Sequence, residues 1–236
     1  AYLVTIRELN GADGIVSEME KKNVRQTGQV IHDLKVPLNA VLGFTGLSIE
    51  SLEKGEYQEV KEYLQHIARA GDTILKDIES YLAFARLQNG VGEIKKEKIN
   101  LEKMAEDAKK IIETGFRRHN IIVDIYSNNT IIEGDYSLIK NAIINALKNA
   151  AEETPNDGHI DLKIIETKYL VNIIIINSGH IPEENLKKIF RSTFSTKNGN
   201  GMGTQMIRMV AEAHNGNATI KNIEETVVLT ITIPKV

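Results

Sequence analysis

Residues 60–85 read VKEYLQHIARAGDTILKDIESYLAFA, and this stretch decides the first half of the fold. Its apolar and small residues recur at alternating intervals of four and three, as in the seam of a coiled coil. The seam consists of Val60, Leu64, Ile67, Gly71, Ile74, Ile78, Tyr81 and Ala85. This period predicts one long amphipathic helix.

The residues before this helix repeat the same period between about residues 16 and 53. Their seam consists of Val24, Thr27, Ile31, Leu34, Leu38, Val41, Thr45 and Ser48. Lys54-Gly55-Glu56 lies between the two segments and predicts a tight turn, so the two helices form an antiparallel hairpin. Because one hairpin buries only one stripe on each helix, we expect a second copy to complete a homodimeric four-helix bundle.

The periodicity changes after the glycine-containing stretch 89–92, which predicts a domain joint. Helices are predicted over 101–116, 136–153 and 204–214, strands over 121–126, 160–167, 169–177, 218–223 and 226–234, and a polar glycine-rich loop over 192–203. These elements lack regular βαβ alternation. They predict an α+β two-layer sandwich, with helices on one face of a mostly antiparallel sheet.

Composition narrows the functional classes. The chain has 236 residues, of which 42% are hydrophobic and 26% charged, as in soluble proteins of one large or two small domains. The net charge of −3 argues against nucleic-acid binding, and zero Cys excludes disulfides and fits a reducing cytosol. No apolar run approaches the ~18 residues of a membrane span. Since the chain lacks an initiator Met, we expect it to begin inside a longer protein.

The first candidate for chemistry is the pair His32 and Asp33. Because Ile31 and Leu34 belong to the seam, His32 is expected to face solvent, with Asp33 beside it. A neutral imidazole is a nucleophile near pH 7, and a neighbouring carboxylate can orient it or accept its proton. Pro37 should bend the helix nearby. The alternative is a solvated histidine near a proline kink.

Further candidates lie in the second half. Asn145 and Asn149 share one helical face, from which amides can hold a hard cation or reach a phosphate oxygen. Asn177-Ser178-Gly179 directly follows a run of four isoleucines, which places Asn177 at a pocket mouth or at an ordinary strand exit. The alternative for the two helical asparagines is a polar surface.

Residues 195–204 read STKNGNGMGT and lead into a predicted helix. Their glycines let backbone N–H groups and the helix dipole face an anion, although a flexible loop is the alternative. The stretch matches neither a Walker loop nor a dinucleotide fingerprint. The remaining histidines show no shared metal-ligand spacing and are predicted to be structural or exposed; they are His66, His119, His159, His180 and His214.

In this order the motifs resemble the catalytic half of a sensor histidine kinase, over residues 16–236. The resemblance implies a dimerisation and phosphotransfer hairpin at 16–90 and an ATP-binding domain of the Hsp90, gyrase and MutL type at 93–236. Residues 1–15 resemble the end of a PAS-type sensor domain with its linker. The implied activity is autophosphorylation from ATP with Mg²⁺, followed by phosphoryl transfer to an Asp of a response regulator. The core would be cytoplasmic, and membrane-attached only if the parent protein has upstream spans.

The resemblance also assigns roles to residues. His32 would be phosphorylated and Asp33 would position it, while Asn149 would bind Mg²⁺ beside its companion Asn145. Asn177 would meet the adenine amino group. Phe190 and Phe194 match the aromatic box before the lid. The other positions implied in nucleotide binding are Gly179, Ser195, Thr196, Lys197, Gly199, Gly201, Gly203 and Thr204.

Departures from the family pattern qualify this picture, among them a spacing from Asn177 to Ile181 that is one residue shorter than the commonest pattern. Asn177 replaces the usual Asp, and Glu152 and Glu153 stand where many members have a Lys and an aromatic residue. These favour an alternative, a dimeric phosphotransfer or scaffold protein with a degenerate nucleotide site; a conformational ATPase of the same fold is a second. Val36 lies four residues after His32, where members that also act as phosphatases often carry Thr or Asn to position a hydrolytic water. Because valine cannot do so, Val36 predicts little phosphatase activity.

Overall fold

The computed structural model describes residues 28, 31, 34–88, 94–116, 120–190 and 202–235, with the backbone alone at 202. Backbone contacts divide the chain into two compact units, Ala1–Tyr81 and Leu82–Val236. The predicted sensor-domain strand in 1–15 and the joint at 89–92 lie outside the described residues. The domain limits at 15, 90 and 93 therefore stay predictions.

The first unit contains the predicted helical hairpin. Residues 34–54 are helical and belong to α1, and α2 spans Tyr57–Gln88. Between them Gly55 has φ +77°, a left-handed conformation that glycine adopts without strain. Its N–H donates to the carbonyl of Leu52 at 3.1 Å, and the N–H of Glu56 donates to that of Ser51 at 2.8 Å. This Schellman motif ends α1 and confirms the predicted turn.

Aromatic and polar contacts join the two helices of the hairpin. The ring of Phe44 in α1 stacks on His66 of α2, with ring centroids 4.5 Å apart. Near the turn, the hydroxyl of Ser51 donates to a carboxylate oxygen of Glu59 at 2.9 Å. Several seam residues nevertheless remain exposed in this single chain, among them Leu38, Leu64 and Ile78. The hairpin therefore leaves an apolar stripe uncovered along its length.

The second unit is built on two sheets. The larger has the strand order β2-β4-β5-β7-β6, in which β2 and β4 are parallel and all other neighbours are antiparallel. Its strands are β2 (Ile122–Tyr126), β4 (His159–Glu166), β5 (Leu170–Ser178), β6 (Asn217–Ile223) and β7 (Thr226–Pro234). The smaller pairs β1 (Glu97–Asn100) with β3 (Ile131–Gly134) in antiparallel register. The predicted, mostly antiparallel sheet is confirmed, whereas β1 and β3 were not predicted.

In the described part of this unit, four helices accompany the sheets. They are α3 (Leu101–Gly115), α4 (Tyr136–Glu153), the short α5 (Glu183–Leu186) and α6 (Met202–Ala213). The buried faces of α3, α4 and α6 form one core with alternate residues of the sheet, such as Leu162, Ile173 and Ile231. This arrangement confirms the α+β two-layer sandwich. Ile174 and Ile176 lie on the other face and are only half-buried.

The last turns of α2 belong to this second unit. Phe84 is 2% exposed within its core, and Ala83 and Leu87 pack against that core. Among the described residues, none of the helices combines the length and the apolarity that a membrane span requires.

Candidate functional site

Helix α4 positions Asn145 and Asn149. It begins at Asp135, whose carboxylate accepts a hydrogen bond from the N–H of Leu138 at 3.0 Å and so caps the first turn. One face of the helix is buried, including Ile143, which is fully buried. The two asparagines lie one turn apart and are half-buried, so their amides stay at the surface of the helix layer.

The first turn of α6 faces these two amides. A Cβ atom added at Gly203 would lie 3.9 Å from Cγ and Oδ1 of Asn145 and 3.9 Å from Nδ2 of Asn149. The structure thus brings three predicted site residues together, and the space between them is so small that one added methyl group would contact both amides. The loop was predicted to extend to residue 203, and this boundary was wrong, because α6 already begins at Met202. Gly203 and Thr204 therefore lie in a helical first turn, where backbone N–H groups have no intrahelical partner.

Thr204 connects α6 to the segment that follows α5. Its hydroxyl donates to the carbonyl of Ile189 at 3.0 Å, and Arg208 Nη1 lies 3.4 Å from the carbonyl of Phe190. Phe190 is half-buried and packs against the core. The side chain of Thr204 thus has a structural partner, and nucleotide contact by this residue stays a prediction.

Asn177 and Gly179 form a second group at the end of β5. Asn177 is 7% exposed, and its Nδ2 donates to the carbonyl of Ser178 at 2.7 Å. Gly179 has φ +135°, which other residues rarely adopt, and its N–H donates to the carbonyl of Glu225 at 3.0 Å. A Cβ atom there would lie 3.8 Å from Asn177 Nδ2, so the chain turns directly beside the amide.

Asn222 holds the chain just after this turn, and the sequence motifs did not reveal it. Its Oδ1 accepts from the N–H of Ile181 at 3.0 Å, and its Nδ2 donates to the carbonyl of Ile181 at 2.8 Å. One side chain in β6 therefore satisfies both backbone groups of a residue 41 positions earlier. The only signal in the sequence is an Asn within a strand, where this residue type is depleted.

His214 was expected to be structural or exposed, and it is buried, with 6% exposure. Its Nε2 accepts from the backbone N–H of Asp135 at 2.9 Å, and its Nδ1 lies 2.7 Å from the carbonyl of Val210. It therefore connects the end of α6 to the cap of α4. His159 is exposed, with Nδ1 3.1 Å from Asp124 Oδ2.

Several predicted site residues lie outside the described part of the chain. They are His32, Asp33, Phe194, Ser195, Thr196, Lys197, Gly199 and Gly201, and with them His119. Their roles stay predictions. Of the departures, Glu152 is exposed and its Oε1 lies 4.0 Å from Lys148 Nζ.

The chemistry of the group around Gly203 suits a phosphate ester with a hard cation. An amide oxygen is a ligand that Mg²⁺ accepts. Asn145 turns its Oδ1 toward Gly203, whereas Asn149 turns its Nδ2 there, so the Asn149 amide must rotate to offer its oxygen to a cation. The N–H groups of a helical first turn favour an anion. Because Gly203 lies close to both amides, the start of α6 and the amides of α4 present anion-binding N–H groups and a cation ligand side by side, which fits the predicted phosphates and metal.

Two family models match the chain. The model described as histidine kinase-, DNA gyrase B- and HSP90-like ATPase matches residues 134–236. The model described as His Kinase A (phospho-acceptor) domain matches residues 23–90.

Curated relatives include the sensor protein KdpD of Clostridium acetobutylicum, 27% identical over 87% of this chain and 24% of its own length. Sporulation kinase A of Bacillus subtilis is 28% identical over 89% of this chain and 34% of its own. The chain thus spans about a quarter to a third of the length of these relatives.

Solved structures give the same result. The catalytic domain of histidine kinase ThkA is 31% identical, with a TM-score of 0.56, over 60% of this chain and 98% of that one. A structure of ThkA in complex with the response regulator protein TrrA matches 98% of this chain and 65% of that chain, at 26% identity and a TM-score of 0.59. With a phospho-acceptor hairpin followed by this ATPase fold, the chain belongs to the histidine kinase family and comprises a histidine kinase catalytic core.

Proposed function

We propose that this chain is the catalytic core of a sensor histidine kinase that phosphorylates His32 from ATP and passes the phosphoryl group to an Asp of a response regulator. The observation that carries the proposal is the placement of Gly203 opposite Asn145 and Asn149, 3.9 Å from their amides. A helix N-terminus that lies beside amide side chains suits nucleotide phosphates. The phospho-acceptor family match supports His32, since it covers residues 23–90.

The phosphate end of the site would be held by α4 and α6. Asn149, with Asn145 beside it, would hold Mg²⁺, which when bound neutralises charge on the phosphates. The N–H groups in the first turn of α6, and Lys197 from the preceding segment, would face the phosphate oxygens. Phosphoryl transfer depends mainly on such positioning and charge stabilisation.

The transfer step would use the hairpin. A ring nitrogen of His32 would attack the γ-phosphorus as the bond to the ADP oxygen breaks. Asp33 would orient the imidazole and accept the proton that the ring gives up.

The adenine end would be read by Asn177. Since the Ser178 carbonyl can only accept a hydrogen bond, the contact at 2.7 Å identifies the bonded atom as Nδ2. Oδ1 is then the atom that would accept from the adenine amino group, as a carboxylate oxygen does in members with Asp. An amide in this orientation supports a working site, although Asn177 departs from the family pattern.

The exposed stripe on the hairpin supports a homodimer. Leu38 is 49% exposed, Leu64 53% and Ile78 38%. A second copy would cover these side chains, at about 25 cal/mol for each Å² of apolar surface removed from water. Light scattering at micromolar concentration should give twice the chain mass; a monomer would contradict the four-helix bundle.

The response regulator and the cytoplasmic location follow from the proposed activity. In the structure of its complex with a response regulator protein, ThkA is 26% identical to this chain. We infer a receiver domain as the partner of His32, and a cytoplasmic location because ATP and such regulators are found there. No nucleic-acid partner is proposed, given the net charge of −3.

Incubation with γ-labelled ATP tests the proposal. The wild-type chain should take up a label that is lost in acid and stable in base, as expected of phosphohistidine. His32→Gln should abolish this label while binding ATP as the wild type does. His66→Gln, a second histidine of the same hairpin, is the control and should keep the label. Persistent labelling of His32→Gln would refute the assignment of His32.

A phosphotransfer or scaffold protein with a degenerate nucleotide site is the second candidate. It is favoured by Glu152, an exposed carboxylate on the same helix as Asn149. Calorimetric titration with ATP, with and without Mg²⁺, separates the two. Binding that needs Mg²⁺ supports the kinase, and the absence of binding supports the scaffold.

A further inference from the structure

We propose that His214 is a positioning residue for the nucleotide site. Through Asp135 it sets the axial position of α6 against α4, and so the gap between Gly203 and the amides of Asn145 and Asn149. The inference rests on the proposed function in one respect, namely that ATP binds in this gap.

Both ring nitrogens of His214 are engaged. The backbone N–H of Asp135 can only donate, so Nε2 accepts its hydrogen bond at 2.9 Å. The carbonyl of Val210 can only accept, so Nδ1 carries the proton and donates at 2.7 Å. The ring is buried, and a flip would break both bonds at once. Its position is therefore fixed relative to the cap of α4.

Gly134 is shaped to admit this ring. A Cβ atom at residue 134 would lie 3.1 Å from Cδ2 and 3.2 Å from Nε2 of His214, and 2.6 Å from Cδ1 of Ile139. The missing side chain lets the imidazole approach the backbone between β3 and α4. Gly134 and His214 are far apart in sequence, yet both are suited to the close approach of the imidazole to the backbone of Asp135.

Helices α4 and α6 consequently meet at two places. The start of α4, at Asp135, contacts the end of α6, at His214, while Gly203 near the start of α6 faces Asn145 and Asn149. The helices are therefore antiparallel.

The axial distance between the two contacts is similar when it is measured along α4 and along α6. About ten to fourteen residues separate Asp135 from the two asparagines, or about 15–21 Å at ~1.5 Å per residue. About eleven residues, or about 17 Å, separate Gly203 from His214. Since a helix transmits axial displacement along its length, a slip of α6 at His214 would move Gly203 by a similar amount.

His214→Leu tests the proposal, because leucine is apolar and leaves the N–H of Asp135 without its acceptor. We expect the affinity for a non-hydrolysable ATP analogue with Mg²⁺ to fall at least about tenfold, as misplacements near 1 Å have large effects. Calorimetry is done well below the Tm of each variant. The backbone amide signal of Gly203 should also shift in the NMR spectrum. His214→Gln, whose Oε1 can accept the same hydrogen bond, should restore most of the affinity.

The control is Ile112→Ala, which creates a cavity in the buried face of α3 and changes no residue of α4 or α6. It should lower the Tm but leave the affinity and the Gly203 signal unchanged. A His214→Leu chain that loses stability yet binds the analogue like the wild type would overturn the inference. If His214→Leu does not fold, Gly134→Ala combined with Ile139→Val decides, compared with Ile139→Val alone. Valine lacks the Cδ1 atom that the added methyl group would meet at 2.6 Å, so the ring of an intact His214 is the group displaced. Unchanged affinity in this pair would likewise overturn the inference. Failure of the wild type itself to bind would refute the proposed function instead.

Discussion

Replacing Gly203 by Ala separates the stability of the fold from nucleotide binding. The added methyl carbon would lie 3.9 Å from the amides of Asn145 and Asn149, which is ordinary van der Waals contact. It therefore meets no clash among the described residues, yet it occupies the space between α6 and the amides. The change should stabilise the free protein and weaken ATP binding, two effects of opposite sign.

The expected magnitudes follow from the helical position of residue 203. Ala in place of Gly stabilises a helix by up to about 1 kcal/mol, which raises the Tm of a domain of this size by about 2–4 °C. Binding at a ligand concentration near 100 Kd stabilises a protein by about 2.7 kcal/mol. If the variant binds tenfold more weakly, the same concentration contributes only about 1.4 kcal/mol. The shift in Tm on adding ligand should therefore be about half that of the wild type.

Thermal melting with and without an ATP analogue and Mg²⁺ measures both effects. Gly115→Ala is the matched control, because Gly115 ends α3 and its added Cβ meets no atom within 4 Å among the described residues outside its own helix turn. It should gain stability and keep the full ligand-induced shift. If Gly203→Ala also keeps the full shift, the phosphates do not bind between α6 and the amides.

Three further outcomes are expected. Asn149→Ala should remove the Mg²⁺ dependence of ATP affinity in calorimetry, whereas Ser137→Ala on the same helix should not; an unchanged dependence would indicate another ligand. Val36 is 65% exposed and has no polar atom to orient water, so the wild type should not speed loss of phosphate from a phosphorylated regulator, whereas Val36→Thr should. The Lys235 ammonium hydrogen-bonds to Glu166 and lowers the pKa of its carboxyl, so this pair stabilises the fold at neutral pH and less as pH falls through that pKa. Glu166→Gln should therefore lower the Tm near pH 7, and melting at about pH 3 should show a smaller difference.

Sequence predicted the elements that rest on local signals. Helix α4 was predicted over 136–153, and the structure gives Tyr136–Glu153, because Asp135 caps its start and Pro155 follows its end. The hairpin turn was equally local, since glycine adopts the left-handed conformation at residue 55 without strain. Seam periodicity then sufficed to predict two long helices.

Elements that depend on distant partners escaped prediction. β1 and β3 are only four residues long, which is too short to show a periodic pattern. Each strand exists because it pairs with the other, as Glu97 does with Gly134, and that pairing is not visible in the local sequence. The contacts of Asn222 with Ile181 likewise join residues 41 apart in sequence. Motif spacing identifies groups on one helix face or one strand end, but it carries no information about which side chains meet across the fold.

The order of strands in the large sheet has a consequence for biosynthesis. β7, at Thr226–Pro234, is an inner strand between β5 and β6, although it follows both of them in the sequence. The sheet cannot be completed until residue 234 has left the ribosome. At ~5–20 residues per second, residue 234 emerges on the order of 4–17 s after Asn149. During this interval the nascent α4 lacks a complete sheet to pack on, so its apolar face is available to chaperones. A ribosome stalled before β7 would therefore hold a chain that carries the amides of the site but cannot yet bind ATP.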